Sequence, residues 1–263
     1  MIELNHIRQQ KLSNLNVLLI GDSCQDTYYY GSCDRLSPET GAPVFRMINQ
    51  VSYDGMSLNV FNNLVSLGIR CDFLTHKEVL YKERYVDIKT GKHLLRVDLG
   101  EANPVHPFII DEYLELKKDY DVIIISDYDK GYITHAAMEK LFENYSGLIF
   151  VDSKKSDLSC FNNAIIKINL DESRALTRLG NNCKVITTAG YRGALYDDVL
   201  YPVAHALVQN VSGAGDSFFA GMIVSYLITR DIPTAIRFGN ICGRLAVEHD
   251  GTYIIDIKDL EEI

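Results

Sequence analysis

Val122-Ile123-Ile124-Ile125-Ser126-Asp127 is the stretch that decides the fold. Four apolar residues run without alternation and then give way abruptly to polar ones. A strand with one wet face alternates, so this run reads as a strand buried on both faces. Val17–Ile20, Leu148–Val151, Ile165–Ile168 and Val185–Thr187 have the same character. Between the runs lie 108–118, 136–145 and 170–179, with apolar residues at helical spacing. Two further helices are expected at Ala214–Thr229 and Pro233–His249, with Pro233 in the first turn of the second. Strands alternating with helices imply an α/β fold with a mostly parallel sheet between helical layers.

One region departs from this rhythm. Tyr28–Gly31 and Val44–Tyr53 flank a turn-rich stretch, Leu36-Ser37-Pro38-Glu39-Thr40-Gly41-Ala42-Pro43. Arg84–Ile88 and Leu94–Leu99 flank Lys89-Thr90-Gly91-Lys92, a hairpin signal. These segments read as a small β lid, formed by residues 27–53 and 83–99, over one edge of the main sheet. No repeat or linker divides the chain, and residues 1–263 read as a single domain.

Composition narrows the function. Apolar residues make up 47% and charged residues 23% of the 263, as in ordinary globular domains. Against 35 acidic residues stand 26 Lys and Arg, a net charge of −9. Such a surface repels the nucleic-acid backbone, so no nucleic-acid partner is expected. No apolar run reaches the ~18–20 residues of a membrane span. Met1-Ile2-Glu3-Leu4-Asn5-His6 lacks the basic and apolar regions of a signal peptide, so a cytoplasmic location is expected. The six cysteines are scattered with no C-x-x-C pair, which predicts free thiols and no protein-held metal.

In open α/β sheets, ligands bind beyond the carboxyl ends of the strands. Here those ends carry Gly21-Asp22 with Asp26, Ser126-Asp127 with Lys130, Asp152-Ser153-Lys154, Asn169 with Glu172, and Thr187-Thr188. A lone Asp or Asn at such a place reads first as a helix cap. Several on one rim suggest a site for a hydroxyl-rich ligand. The strongest motif is Val211-Ser212-Gly213-Ala214-Gly215-Asp216-Ser217-Phe218. Gly213 and Gly215 let the backbone turn tightly against a ligand, and the free amides of the helix that follows suit an anion. Asp216, in the first turn, is placed to take a proton from an alcohol attacking a phosphoryl group. Without ligand chemistry, the same residues are a glycine loop with a dipole-matched acid. Neither a Walker A pattern nor G-x-G-x-x-G is present.

Gly213-Ala214-Gly215-Asp216-Ser217-Phe218-Phe219-Ala220-Gly221 resembles the C-terminal signature of the ribokinase-like (PfkB) sugar kinases. Gly21-Asp22…Asp26, Asp34-Arg35-Leu36-Ser37-Pro38-Glu39, Arg96-Val97-Asp98, Ser126-Asp127-Tyr128…Lys130-Gly131, Asp152…Lys154, Asn169…Glu172 and Gly251-Thr252 narrow the resemblance to the heptose-phosphate kinase branch of lipopolysaccharide core synthesis. It implies a three-layer α/β/α sandwich with a β lid, and transfer from ATP, with Mg²⁺, to a sugar or sugar-phosphate hydroxyl. In the heptose branch this is heptose 7-phosphate to the 1,7-bisphosphate. It further implies Asp216 as general base, with amides at Gly213, Ala214 and Gly215 on the transferring phosphoryl group. Asp22, Asp26, Arg35, Gly55, Asn59, Asp127 and Lys130 would meet the acceptor, Arg35 through a sugar phosphate. Lys154 and Asn169 would face the ATP phosphates, with Glu172 acting through Mg²⁺ and water. Thr188, Gly190, Gly193, Asn240 and Gly251 would line the nucleotide pocket. A homodimer through the lid is also implied.

Met56 stands where the family has a glycine, Asp129 where it has a small residue, and Ser153 where the branch has proline. The stretch between the lid halves, Leu74 to Leu95, is short for the family. Met56 and the short lid keep a second reading open, a sugar-phosphate- or nucleotide-binding protein with little catalysis. A third keeps the kinase and changes the acceptor. Lys77, Lys82, Arg84, Lys89, Lys92 and Arg96 read first as a solvated hairpin face, and second as a steering patch for a phosphorylated sugar. Tyr28-Tyr29-Tyr30 suits stacking on a sugar or plain lid packing. His106 and His135 read as surface or capping residues.

Overall fold

The computed structural model describes Leu12 and residues 14–260. The first strand described is β1 (Val17–Gly21), followed by two long lid strands, β2 (Ser23–Leu36) and β3 (Pro43–Met56). Next come α1 (Ser57–Ser66) and β4 (Cys71–Leu74), which return the chain to the main sheet. A hairpin of β5 (Tyr81–Asp87) and β6 (His93–Leu99) completes the lid. Then α2 (Ile110–Glu115), β7 (Val122–Asp127), α3 (His135–Glu143), β8 (Leu148–Ser153), the two-residue β9 (Asp157–Leu158), β10 (Ala164–Asn169) and α4 (Leu170–Ala175) follow. The two-residue β11 (Arg178–Leu179), β12 (Lys184–Thr188), β13 (Ala194–Tyr196) and β14 (Val199–Tyr201) precede the paired helices α5 (Ala214–Thr229) and α6 (Ile232–Val247).

The main sheet has the order β14-β13-β12-β10-β8-β7-β1-β4, parallel except for β13 and β14. Its strands bury both faces, as runs without alternation require. Val17 and Leu19 point into one core with Val60, Phe218 and Ile236, under α1, α5 and α6. Leu18 and Ile20 point into the other with Ile123, Met138 and Leu141, under α3. This is a three-layer α/β/α sandwich. Helix α5 is buried nearly all round, between the sheet and α6, which explains its uniformly apolar sequence. Each fully buried side chain here, Phe219 for one, contributes roughly 1.5–3 kcal/mol.

The lid is a four-stranded sheet of order β3-β2-β5-β6, with β2 and β5 parallel. β2 and β3 run further than the sequence signals at both ends, because their pairing extends past the apolar residues, whereas β5 and β6 only begin earlier, at Tyr81 and His93.

Several expectations need correction. The helix expected over 108–118 shrinks to Ile110–Glu115: Phe108 is tied by its amide to Tyr132 O at 2.8 Å, and Lys117 adopts φ 48. The helix expected over 170–179 stops at Ala175, because Arg178–Leu179 pairs with Asp157–Leu158 instead. Strands β4, β13 and β14 and helix α1 carried too little periodicity to be read. By contrast, α5 keeps the expected limits, and α6 starts with Pro233 in its first turn and Asp231 capping Thr234 N at 2.8 Å.

Candidate functional site

The site is built at the N-terminus of α5. Gly213 caps the helix at φ 78, a left-handed conformation that glycine adopts without cost. A Cβ there would lie 2.8 Å from Asn59 Nδ2. At Gly215 it would lie 3.1 Å from the ammonium of Lys167. The first-turn amides are therefore unobstructed by side chains, and a buried cation sits against them.

Asp216 is 4% exposed. One carboxylate oxygen accepts from Asn59 Nδ2 at 3.0 Å, and the other accepts from the Tyr128 hydroxyl. Burial pushes the Asp216 carboxyl above its ordinary value, only partly offset by those two hydrogen bonds. A buried carboxylate of raised basicity, held by two donors, is suited to taking a proton. Burial, then Asp216 itself, drives the Tyr128 phenol well above its ordinary range, so Tyr128 stays a donor.

Beside it lies a chain of charges from three strand ends. Lys167, on β10 and 2% exposed, pairs with Asp152 on β8 at 2.8 Å. Lys154 pairs with Glu172 at 2.7 Å, lies 3.8 Å from Asp152, and stands 5.1 Å from the Tyr128 ring centre. Burial works against charge at Asp152, but Lys167 and Lys154 outweigh it and hold the carboxyl below its ordinary value. Asp152 Oδ1 is buried with no hydrogen-bond partner. Asn169 caps α4 through Asp171 N and Glu172 N at 2.8 and 2.9 Å, while Glu172 returns to Asn169 N at 2.7 Å. This capping box places Glu172 on Lys154.

Asp216, Gly213, Ala214, Gly215, Asn59, Lys154, Asn169 and Glu172 thus converge. Other candidates lie differently. Asp22 is fully buried beneath the rim, its Oδ2 accepting from Tyr128 N at 2.8 Å and Lys130 N at 3.3 Å. Asp127 is bound to Lys155 at 2.7 Å and Ser153 Oγ at 2.7 Å. Both carboxylates hold the loop after β7 in shape. Asp129 in that loop has φ 58 and pairs with Lys155 at 3.1 Å, which accounts for an acid at this turn. Lys130 pairs with Glu101 at 2.6 Å and lines a cavity of about 320 Å³ with Leu80, Pro104 and Val105. Asp26, 4% exposed, is engaged by a fork from Arg84 at 2.7 and 3.0 Å. Gly55, the penultimate residue of β3, pairs with Cys24. Arg35 lies exposed at the far end of β2, opposite Val44.

On the other side, Thr188 ends β12 and donates to Ile168 O at 3.3 Å. Gly190 and Gly193 bound the tight turn between β12 and β13. Asn240 on α6 donates to Tyr201 O at 2.9 Å, tying the helix to the sheet edge. Gly251 packs against the Tyr53 ring.

The sequence passed over Tyr128 and Lys167 as site residues. Tyr128 lay inside a quoted motif without a role. Lys167 carried a signal: a single lysine inside the apolar run Ile165–Ile168 has to meet a buried partner.

The arrangement defines a class before it defines a relative: a ribokinase-like α/β fold with a glycine turn and a buried carboxylate at one helix end. Phosphofructokinase-2 from Escherichia coli, solved in complex with substrates and products, has this fold with a TM-score of 0.73, covering 95% of this chain and 98% of that one at 17% identity. Arabidopsis thaliana ribokinase, complexed with ribose and ATP, gives 0.70 at 14% identity, covering 94% and 98%. Residues 160–259, which include Asp216 and its loop, match the pfkB family carbohydrate kinase profile. Over those residues the chain is similar to that family of kinases. Among curated relatives, "Bifunctional protein HldE" of Bradyrhizobium diazoefficiens is 26% identical over 311 aligned positions, covering 95% of this chain and 63% of the relative. The chain thus spans less than two thirds of that protein's length. Among the described residues, no helix is long and apolar enough to cross a membrane.

Proposed function

We propose that the chain transfers the γ-phosphoryl group of ATP to a hydroxyl of a sugar phosphate, with heptose 7-phosphate as acceptor and the 1,7-bisphosphate as product. The observation that carries this is Asp216: a buried, raised carboxyl in the first turn behind the Gly213–Gly215 cradle. Asp216 accepts the proton of the attacking hydroxyl, and Asn59 and Tyr128 hold its two oxygens. The amides at Gly213, Ala214 and Gly215 face the transferring group, where developing charge meets fixed dipoles. Lys167 and Lys154 supply positive charge on the nucleotide side, and Asp152 keeps both ammoniums in place, Lys167 through Oδ2 at 2.8 Å and Lys154 at 3.8 Å from Oδ1.

Among the described residues, no three His, Cys, Asp or Glu side chains form a metal cage. Mg²⁺ would arrive on the triphosphate, and Glu172, beside Lys154, would reach it through water. The ion supplies charge neutralisation between the phosphates. The same reading carries a homodimer through the lid and a cytoplasmic location.

The test is ADP release from purified protein with ATP and Mg²⁺ against heptose phosphates, hexose phosphates and free sugars. Turnover on heptose 7-phosphate supports the whole reading. Turnover on another acceptor keeps the mechanism and moves the specificity. A folded, ATP-binding protein that turns over nothing is a binding protein.

A further inference from the structure

Strand register assigns a face to each charged residue of the lid. Asp26 lies beside Lys82, and Tyr28 beside Arg84, on parallel β2 and β5. Across the β5–β6 hairpin, Lys82 faces Asp98 and Arg84 faces Arg96. Laterally paired residues share a face, and successive residues alternate. Asp26, Lys82, Arg84, Arg96 and Asp98 therefore lie together, while Glu83 and Tyr85 lie opposite. This shared face covers the site. Lys82 Nζ stands 5.5 Å from the ring centre of Tyr128, whose hydroxyl bonds Asp216.

The charges on this face do not balance. Arg84 is spent on Asp26 at 2.7 and 3.0 Å, and Arg96 on Asp98 at 2.9 Å. Lys82 is half-buried and makes no ion pair or hydrogen bond among the described residues. Asp98 Oδ1 is itself buried and unpartnered, so Lys82 has one neighbouring carboxylate to turn to. Even then three cations meet two carboxylates. On this face of the lid one positive charge is in excess, in a chain whose net charge is −9. Holding an uncompensated, partly desolvated ammonium costs free energy unless an anion joins it.

We propose that Lys82 is a specificity-determining residue: its ammonium binds an anionic substituent of the acceptor, remote from the hydroxyl that is phosphorylated. The shared chemistry is a phosphate ester or a carboxylate on a sugar. This rests on the kinase reading and assigns the acceptor's charge to one residue of the basic stretch 77–96, whose other cations on this face are spent on carboxylates. Arg35, at the exposed far end of the same sheet, then has no part in that recognition.

The test compares the wild type, Lys82→Met and Lys82→Arg on three acceptors: a sugar phosphate, the matching sugar acid and the neutral parent sugar. The readout is the ratio of kcat/KM for the anionic over the neutral acceptor, with KM for ATP measured alongside. In Lys82→Met this ratio falls by roughly 10- to 100-fold, the loss of one charge-assisted contact, and Lys82→Arg restores part of it. The better of the two anionic acceptors identifies phosphate or carboxylate as the group bound. An unchanged ratio, or a rise confined to KM for ATP, overturns the proposal. If the wild type releases no ADP with any acceptor, the kinase reading fails separately. Thermal stabilisation by glucose 6-phosphate over glucose then decides Lys82: loss of the difference in Lys82→Met supports it, and retention overturns it.

Discussion

The N-terminus of α5 and the site face of the lid approach the same space by different means. At α5, charge is organised by backbone and burial: amides freed by Gly213 and Gly215, a 4% exposed Asp216, and a 2% exposed Lys167 beneath them. On the lid, charge is organised by pairs of long side chains on strands that border solvent, Arg84 with Asp26 and Arg96 with Asp98. The first arrangement is built from backbone and buried groups and, on the proposed function, makes no contact that selects one alcohol. The second depends on a few exchangeable side chains, so the acceptor can change without disturbing the transfer chemistry. At the seam stands Met56, buried at φ 58 and ψ −134, where a side chain is strained.

The comparison breaks first at Asp216. Asp216→Asn should lower turnover by about 10²–10⁴-fold in steady-state assays while ATP binding persists, because the proposed general base is lost. Wild-type turnover in that variant would remove the base from the mechanism. Gly215→Val should cost roughly 10²–10³-fold in kcat, since its side chain enters the space beside Lys167 Nζ and displaces the cradle. The pH profile sharpens the same point. A raised Asp216 carboxyl is protonated, and inactive as a base, already above the ordinary carboxylate pKa of 3.8. The acid limb of kcat/KM should therefore lie above that value, with activity rising as pH rises through it.

Smaller effects are expected on the lid side. Arg84→Met leaves Asp26 buried and unpaired, and chemical denaturation should show a loss of about 3 kcal/mol, largely recovered by adding Asp26→Asn. At the seam, Met56→Gly relieves about 1–3 kcal/mol of backbone strain but opens a cavity costing about 2–5 kcal/mol. A net loss of about 1–2 kcal/mol should follow, with a wider acceptor space read as a changed acceptor KM.

The main sheet was legible because strands buried on both faces must be apolar without interruption, as Val122–Ile125 is. The cradle was legible because glycine spacing and a first-turn acid leave a local mark. Residues 178–179 were misread as helix because a two-residue pairing with Asp157–Leu158 leaves no periodic trace. Lys155 could not be read as the partner of Asp127, nor Arg84 of Asp26, since each pair joins residues far apart in sequence. Asp22 and Asp127 looked free at strand ends, yet packing turned both onto the loop after β7.

By itself, then, the sequence determined the layered α/β sandwich, the lid and the place of Asp216, because those follow from periodicity and from residues adjacent in the chain. Tertiary structure alone decided which charges are spent and which are left over. Asp26 is closed off by Arg84 and Lys82 is left unpaired only because β2, β5 and β6 align in one register. Lateral pairing sets which side chains share a face, and no local pattern encodes it.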